Sequence, residues 1–344
     1  MNDPSRARSV TIKELAALFQ ERDDFLFTTH MTPDGDGLGS QLALLRVLKR
    51  KGKSVRILNC SGVPEDLRFL TKPGEVVTFH KDKHADDVKK AKHIVAFDLG
   101  GAGRLGRMEL PVRGSDAEKI LIDHHVYDGE LFDLAHIAIK ASSSAEITYD
   151  VIKKLGGTIS ADVAEPLYVG LVQDTGSFNY NSTSARTHLI AAEFVDAGVN
   201  PYRIWKKLNC QKPYRRVRLM GENIARIRLE NEGRLATCKV DLDFLKKQDG
   251  EVRDAFEVVN HFLTIKGVEV GVLGLQIGSD RTKFSLRATG AHDVCKIAQG
   301  FGGGGHRYAA GFTVEKMGFD VAFETVLQRV RDSFGAVKAR PART

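Results

Sequence analysis

The sequence predicts an α/β protein in which an N-terminal parallel-sheet domain is followed by a smaller α/β C-terminal domain. Three observations predict it. A chain of 344 residues suits two domains better than one. Short apolar runs alternate with stretches of helical period across residues 10–173, the pattern of parallel βαβ units. Several of those runs also end on an acidic residue, which gathers carboxylates at the sheet edge where such folds bind ligands.

In chain order, residues 10–24 read as a helix with Leu15, Leu18 and Phe19 on one face. Phe25-Leu-Phe-Thr-Thr29 is a β-rich run, and residues 41–50 return to helical spacing. His30-Met-Thr-Pro-Asp-Gly-Asp-Gly-Leu-Gly-Ser40 lies between them as a strand-to-helix turn. Pro33 and the glycines are expected to keep His30, Asp34 and Asp36 off a helix, so that one imidazole and two carboxylates converge as metal ligands do. Ordinary Asp-Gly turns and helix caps use the same residue types.

Further strands are expected at 54–59, 93–98 and 119–123, with helices at 144–155 and 161–173. His93-Ile-Val-Ala-Phe-Asp98 ends on Asp98, Ile120-Leu-Ile-Asp123 runs into His124 and His125, and Leu167-Tyr-Val-Gly-Leu-Val-Gln-Asp174 closes on Asp174. Residues 184–230 read as polar-rich helices broken at Pro201 and Pro213, and the linker falls among them. The second domain is expected to hold a strand at 234–240, a helix near 251–264 and a hairpin over 268–288 turning at Gly278-Ser-Asp-Arg281. A helix near 292–299, a strand at 309–314 and a last helix at 319–334 follow. Gly300-Phe-Gly-Gly-Gly-Gly-His306 precedes that strand, and its glycines let backbone amides approach an anionic ligand closely. A Gly-rich loop tip is the plainer alternative.

Composition narrows the function. No stretch approaches the roughly 20 apolar residues of a membrane helix, and residues 1–8 lead into no signal-peptide core, so a cytoplasmic protein is expected. Cys60, Cys210, Cys238 and Cys295 lack paired spacing, which argues against a disulfide framework and a thiolate zinc site. Residues 1–209 carry 28 Lys plus Arg against 28 Asp plus Glu, and residues 210–344 carry 23 against 16, so the net +7 lies wholly in the second part. A basic domain joined to an Asp-lined one suits a polyanionic substrate. A solvated surface with a tail bearing Lys338, Arg340 and Arg343 would carry the same charge.

Gly101-Ala-Gly103-Arg-Leu-Gly106 fits the dinucleotide fingerprint G-x-G-x-x-G, with Asp123 about 20 residues beyond it as that fingerprint requires. An NAD-dependent oxidoreductase would need a long helix opening at these glycines, and Pro111 and Gly114 break the stretch. A pure nucleic-acid-binding module would account for the basic second half but not for the acidic, His-bearing strand ends.

His30-x3-Asp34-x-Asp36, Asp98, Asp123-His124-His125 and Asp174 together resemble the motifs of the DHH phosphoesterase family, in that family's order. Gly302-Gly-Gly-Gly-His306, with Arg287 of Phe284-Ser-Leu-Arg287, resembles its DHH-associated C-terminal domain. Gln173-Asp-Thr-Gly-Ser-Phe178 in a two-domain chain is most similar to the nanoRNase type, the bifunctional oligoribonuclease and 3'-phosphoadenosine 5'-phosphate phosphatase. Val126-Tyr-Asp-Gly-Glu-Leu-Phe132 departs from the pattern of many members after the triplet. Independently of the resemblance, carboxylates and imidazoles without a thiolate favour manganese- or magnesium-like ions.

The resemblance implies a metal-dependent phosphoesterase domain over 10–208, a linker helix over 209–230, a substrate-binding domain over 231–335 and a basic tail over 336–344. The active site is expected in the cleft between the domains. Two Mn2+ ions are implied, with Mg2+ or Co2+ as substitutes. His30, Asp34 and Asp98 would hold one ion, and Asp36, Asp98, His124 and Asp174 the other, with Asp98 bridging. Asp123 would orient the histidines, and His125 would contact the scissile phosphate or protonate the leaving oxygen. Arg287, Gly303, Gly304, Gly305 and His306 would grip another phosphate or a base. The activity implied is degradation of very short RNA to mononucleotides and dephosphorylation of 3'-phosphoadenosine 5'-phosphate. A cyclic di-AMP or linear dinucleotide phosphodiesterase stays open, while family II pyrophosphatases and RecJ-type exonucleases match less well. The partners expected are short RNA and nucleotides, with no membrane and with a homodimer left open.

Overall fold

A computed structural model describes residues 7–127 and 129–336, leaving aside the side chains of Arg253, His306 and Ala336. The expected basic tail, from residue 337 onward, lies outside the described residues. The chain divides into two units between Gln211 and Lys212.

The first unit runs β1 (Arg8–Ser9), α1 (Ile12–Glu21), β2 (Phe25–Thr29), α2 (Gly35–Arg50), β3 (Val55–Asn59), β4 (Val76–Thr78), α3 (Lys81–Lys90) and β5 (His93–Phe97). It continues with α4 (Glu109–Arg113), β6 (Glu118–Asp123), β7 (Leu134–Ile137), α5 (Ser144–Lys154), α6 (Ala161–Asp174), α7 (Ala185–Asp196) and α8 (Pro201–Asn209). Its strands form one seven-stranded parallel sheet in the order β1-β7-β6-β5-β2-β3-β4. Helices cover such a sheet on both faces, which is why β2 is buried along its whole length and reads as an apolar run rather than an alternation. Phe27 packs edge to face with Phe19 and Phe97 in the core on one side of the sheet, its centroid 5.1 Å from that of Phe97, and Phe25 adds tilted contacts with Phe19 and Phe27. Chain order reverses between β2 and β5, so the crevice at their carboxyl ends is the switch point where open α/β sheets bind ligands.

The glycines after β2 act differently from the expectation. Helix α2 opens at Gly35, Asp34 is its N-cap and Asp36 lies in its first turn. Close packing, not avoidance of helix, explains the glycines: a Cβ at Gly39 would stand 2.2 Å from the Pro166 carbonyl oxygen of α6, and one at Gly37 would stand 2.2 Å from Thr29 Oγ1. The α2–α6 contact is tied by Arg46, which is 8% exposed. Pro166 has no N–H to give the Asp162 carbonyl, and Arg46 Nη1 donates to that oxygen instead at 2.6 Å. Its remaining donors hold Leu70 O and the Glu75 carboxylate.

The second unit runs α9 (Tyr214–Ala225), β8 (Arg228–Glu230), β9 (Leu235–Val240), α10 (Leu242–Lys247), α11 (Val259–Phe262), β10 (Val270–Gly278), β11 (Arg281–Ala288), α12 (Val294–Gln299), β12 (Gly304–His306), β13 (Ala309–Glu315) and α13 (Phe319–Ala336). Six strands form a mixed sheet in the order β12-β13-β11-β10-β9-β8, with β9 and β10 parallel and the other pairs antiparallel. Phe284, Leu286 and Phe312 face α13 through Phe323, Val326 and Val330, while Leu273 and Leu275 pack with Val258, Val259 and Phe262. The segment expected as a glycine-rich loop is an edge strand over Gly304–His306. Pressed against β13, it has no room for side chains at Gly303 or Gly305, whose Cβ atoms would each stand 2.4 Å from a β13 carbonyl oxygen.

Candidate active site and metal centre

The first unit's sheet delivers its chemistry at one edge. His30 follows β2, Asp98 follows β5, Asp123 ends β6 with His124 and His125 directly after it, Asp36 enters from the start of α2 and Asp174 from the end of α6. Asp98 sits in the left-handed region at φ 51°, held by its N–H to Ile122 O at 3.1 Å. Such a conformation in a non-glycine residue is a local strain that surrounding structure must sustain, and it turns the Asp98 carboxylate out of the strand's alternation.

Three overlapping groups of ligand atoms result, each with all its atoms within 4.8 Å of one another: His30, Asp34 and Asp98; Asp36, Asp98, His124 and Asp174; and Asp98, Asp123, His124 and His125. His30 Nε2 is 3.4 Å from Asp34 Oδ2 and 3.5 Å from Asp98 Oδ2. His124 Nε2 lies 2.9 Å from Asp174 Oδ2, 3.5 Å from Asp98 Oδ1 and 4.0 Å from Asp36 Oδ2. Asp98 belongs to every group.

Hydrogen bonds outside the cluster decide which atoms remain for a ligand. His30 Nδ1 is 2.9 Å from Met31 O, which places a proton on Nδ1 and turns Nε2 inward. Asp34 Oδ1 caps α2 through the N–H groups of Asp36 and Gly37, leaving Oδ2 for the cluster. Asp36, wholly buried, receives the Ser144 and Ala145 N–H groups at the start of α5, at 2.6 and 2.8 Å. Asp123 has both oxygens occupied. Oδ2 accepts from the Leu99 and Gly100 N–H groups and Oδ1 from the His125 N–H, with His125 Nδ1 at 2.8 Å from the same oxygen. These bonds fix the Asp123 carboxylate and, through it, the His125 ring beside the cluster.

Electrostatics show the need for positive charge. Burial and the Asp174 and Asp98 carboxylates push the Asp36 carboxyl well above its usual range, and Asp174 is pushed the same way by burial. Burial also works against ionised Asp98, yet the imidazoles of His124, His125 and His30 outweigh it and hold Asp98 well below. Burial likewise opposes charge on His30 and His124, but the neighbouring carboxylates, Asp34 and Asp98 for His30 and Asp174, Asp98 and Asp36 for His124, raise them to about 10 and about 11. His30 Nε2, His124 Nε2 and Asp98 Oδ1 are buried without a hydrogen-bond partner. Orphaned buried atoms facing one point are costly unless a ligand meets them. Oxygen and imidazole donors without sulfur fit Mn2+ or Mg2+ rather than a structural zinc.

In the second unit, Arg287, Ala309 and His306 occupy one register row across β11, β13 and β12. Arg287 Nη1 donates to Leu286 O at 3.1 Å. The Gly303 N–H is spent on Ala298 O at 2.9 Å, whereas a Cβ at Gly304 would meet nothing within 4 Å, so open space lies beside that residue. Sequence reasoning passed over two residues near the cluster. Gln173 Oε1 accepts the Gly35 N–H at 2.5 Å and ties α6 to the start of α2, and its place at the head of the Gln173–Phe178 segment gave no sign of that role. Arg104 lay inside the glycine motif weighed as a dinucleotide site. That motif forms a 3-10 turn over Ala102–Met108, followed by the five-residue α4 in place of the long helix an NAD site needs.

Comparison with known proteins agrees with this geometry. The DHH family N-terminal domain matches residues 24–171 and the DHHA1 domain matches residues 233–335. The chain is 31% identical over 307 residues to the bifunctional oligoribonuclease and PAP phosphatase NrnA of Thermus thermophilus, covering 88% of each protein. Among solved structures, an exopolyphosphatase-related protein from Bacteroides fragilis superposes with a TM-score of 0.85 at 26% identity, over 92% of this chain and 96% of that one. RecJ from Thermus thermophilus, solved in complex with Mn2+, shares the fold at a TM-score of 0.57 and 14% identity, over 96% of this chain and 55% of RecJ. The chain belongs to the DHH phosphoesterase family, with a DHH N-terminal domain followed by a DHHA1 domain.

Proposed function

We propose that this protein is a Mn2+-dependent hydrolase that degrades very short oligoribonucleotides to mononucleotides and removes a phosphate from 3'-phosphoadenosine 5'-phosphate. The observation that carries the reading is the convergence of three orphaned buried atoms, His30 Nε2, His124 Nε2 and Asp98 Oδ1, among aspartates with no thiolate. The activity named for the Thermus thermophilus relative supports the choice of substrates. His30, Asp34 and Asp98 would hold one ion and Asp36, Asp98, His124 and Asp174 a second. When bound, such ions supply Lewis-acid activation of water and neutralise charge on the phosphoryl oxygens.

The chain's own groups do the rest. As water adds to phosphorus, the P–O bond to the departing sugar oxygen breaks. His125 Nε2 gives that oxygen its proton; the attacking water releases one, and His125 is reprotonated before the next turnover. Burial opposes a charged His125, but Asp123 and Asp98 outweigh it and raise the imidazole to about 9, so it carries a proton to give at neutral pH. Arg287 and the β12 glycines with His306 grip a phosphate or base remote from the reacting bond. The domains we assign are a phosphoesterase domain over 10–208 and a substrate-binding domain over 231–335, joined through residues 209–230, which hold α9 and the edge strand β8 rather than a single linker helix. No helix among the described residues is long and apolar enough to cross a membrane, and substrates that are short RNA and nucleotides are those of the cytoplasm.

A substrate panel tests the reading: labelled RNA of graded length beginning at dinucleotides, 3'-phosphoadenosine 5'-phosphate, cyclic di-AMP and pyrophosphate, each with Mn2+, Mg2+ or EDTA. Turnover of dinucleotides and the bisphosphate with Mn2+, lost in EDTA, is the expected result. Preferential turnover of cyclic di-AMP would move the assignment to a cyclic dinucleotide phosphodiesterase, and inactivity on every phosphate ester would refute it.

A further inference from the structure

We propose that Arg104 binds the phosphoryl group being transferred, its guanidinium contacting a non-bridging oxygen. The inference rests on the phosphoesterase reading above. The glycine motif that suggested a dinucleotide instead forms the 3-10 turn over Ala102–Met108, shortly after Asp98, and this brings Arg104 to the cluster. Its backbone is fixed at both ends. The Arg104 N–H donates to Gly101 O at 3.0 Å, and the Arg104 carbonyl accepts the Met31 N–H at 2.6 Å, one residue from His30.

The side chain reaches toward His125. Gly100 is left-handed at φ +66°, and the point where its Cβ would stand lies 3.2 Å from Arg104 Nη1 and 3.6 Å from His125 Cγ. The missing side chain at Gly100 thus leaves open the space between the guanidinium and the imidazole. Arg104 is exposed, and among the described residues its guanidinium makes no hydrogen bond or ion pair. The neighbouring arginines are committed: Arg107 donates to Cys60 O at 2.7 Å, and Arg113 pairs with Glu109 at 3.1 Å.

A guanidinium with its donor fork uncommitted, held by backbone bonds beside the proton donor of the reaction, matches two oxygens of a tetrahedral phosphate. In phosphoryl transfer, charge is spread over those oxygens in the transition state, where a fixed cation lowers the barrier more than it tightens ground-state binding. The Arg104 contact is therefore expected in kcat as well as in KM.

Arg104→Gln and Arg104→Lys are compared with the unaltered protein and with Arg113→Ala as a surface control. Turnover is measured with Mn2+ on a labelled dinucleotide and on bis(p-nitrophenyl) phosphate, and calorimetry follows Mn2+ and AMP. Arg104→Gln is expected to lose about a hundredfold in kcat on both substrates, as does loss of one donor to a developing oxyanion. AMP affinity should fall about tenfold or more, the cost of one charge-assisted contact. Mn2+ affinity should be unchanged, Arg104→Lys should recover part of the rate, and added guanidinium ion should partly rescue Arg104→Gln. Unchanged kcat and AMP affinity in an otherwise active protein, or a loss of Mn2+ affinity in both variants, would overturn the inference alone. An unaltered protein inactive on both substrates would overturn the functional reading and this inference with it.

Discussion

Asp98 carries more of the site than any other side chain. It belongs to all three ligand groups, is almost wholly buried and sits in a left-handed conformation. Asp98→Asn preserves shape but removes a charge and one acceptor oxygen from both proposed ion positions, so kcat is expected to fall at least about a hundredfold on every substrate, with weaker Mn2+ binding by calorimetry. Near-normal turnover of Asp98→Asn would exclude a bridging role. The local part of this site was legible in the sequence: His30, Asp34 and Asp36 lie within seven positions of one another, and acids closing apolar runs drew attention to Asp98, Asp123 and Asp174. What spacing left out was the work of each oxygen. That Asp34 divides its oxygens between a helix cap and the cluster, or that Asp123 has both filled, depends on partners from other elements. Arg104 was passed over because its motif had been judged by the helix that should follow it, and the contact that matters is with residues before it.

Among elements, strands with long apolar runs and helices with an apolar face were read from sequence, and short or polar ones were not. Strands β1, β4 and β7 have two to four residues, too few to show a period. Helix α3, KDKHADDVKK, buries only Val88 and has no apolar stripe to read. The α2–α6 pair yields two predictions. A methyl at Gly39 would press on the backbone carbonyl of Pro166, which has no rotamer to yield, so Gly39→Ala is expected to cost about 1–3 kcal/mol in urea unfolding. Gly103→Ala, where a Cβ would meet nothing within 4 Å, should lie within about 0.5 kcal/mol of the unaltered protein and leave it without NAD affinity. Arg46→Met is expected to cost about 3 kcal/mol, because it leaves the Glu75 carboxylate and the Asp162 and Leu70 carbonyls without their buried donor. A loss below about 1 kcal/mol for Arg46→Met would mean that water replaces the guanidinium there.

On the scale of the whole molecule, the two units differ in charge and, in our reading, in task. All of the +7 net charge lies from residue 210 onward, and the aspartate cluster lies wholly in the first unit. If the basic unit grips part of the substrate away from the reacting bond, its variants must spare substrates too small to be gripped. Arg287→Ala is therefore expected to lose about ten- to a hundredfold in kcat/KM on a dinucleotide while leaving bis(p-nitrophenyl) phosphate nearly untouched. Equal losses on both substrates would show that the second unit is no separate grip. The spread of the proposed ligands along the chain, from His30 to Asp174, also bears on how the protein is born. At translation rates of roughly 5–20 residues per second, the last of them leaves the ribosome about seven to thirty seconds after the first. No nascent fragment ending before α6 has the full set of donors, so the ions cannot nucleate folding as they do in a zinc finger. In our reading metal capture is then a late event in the life of each molecule, and protein made without Mn2+ is expected to be folded but idle until the ion is supplied.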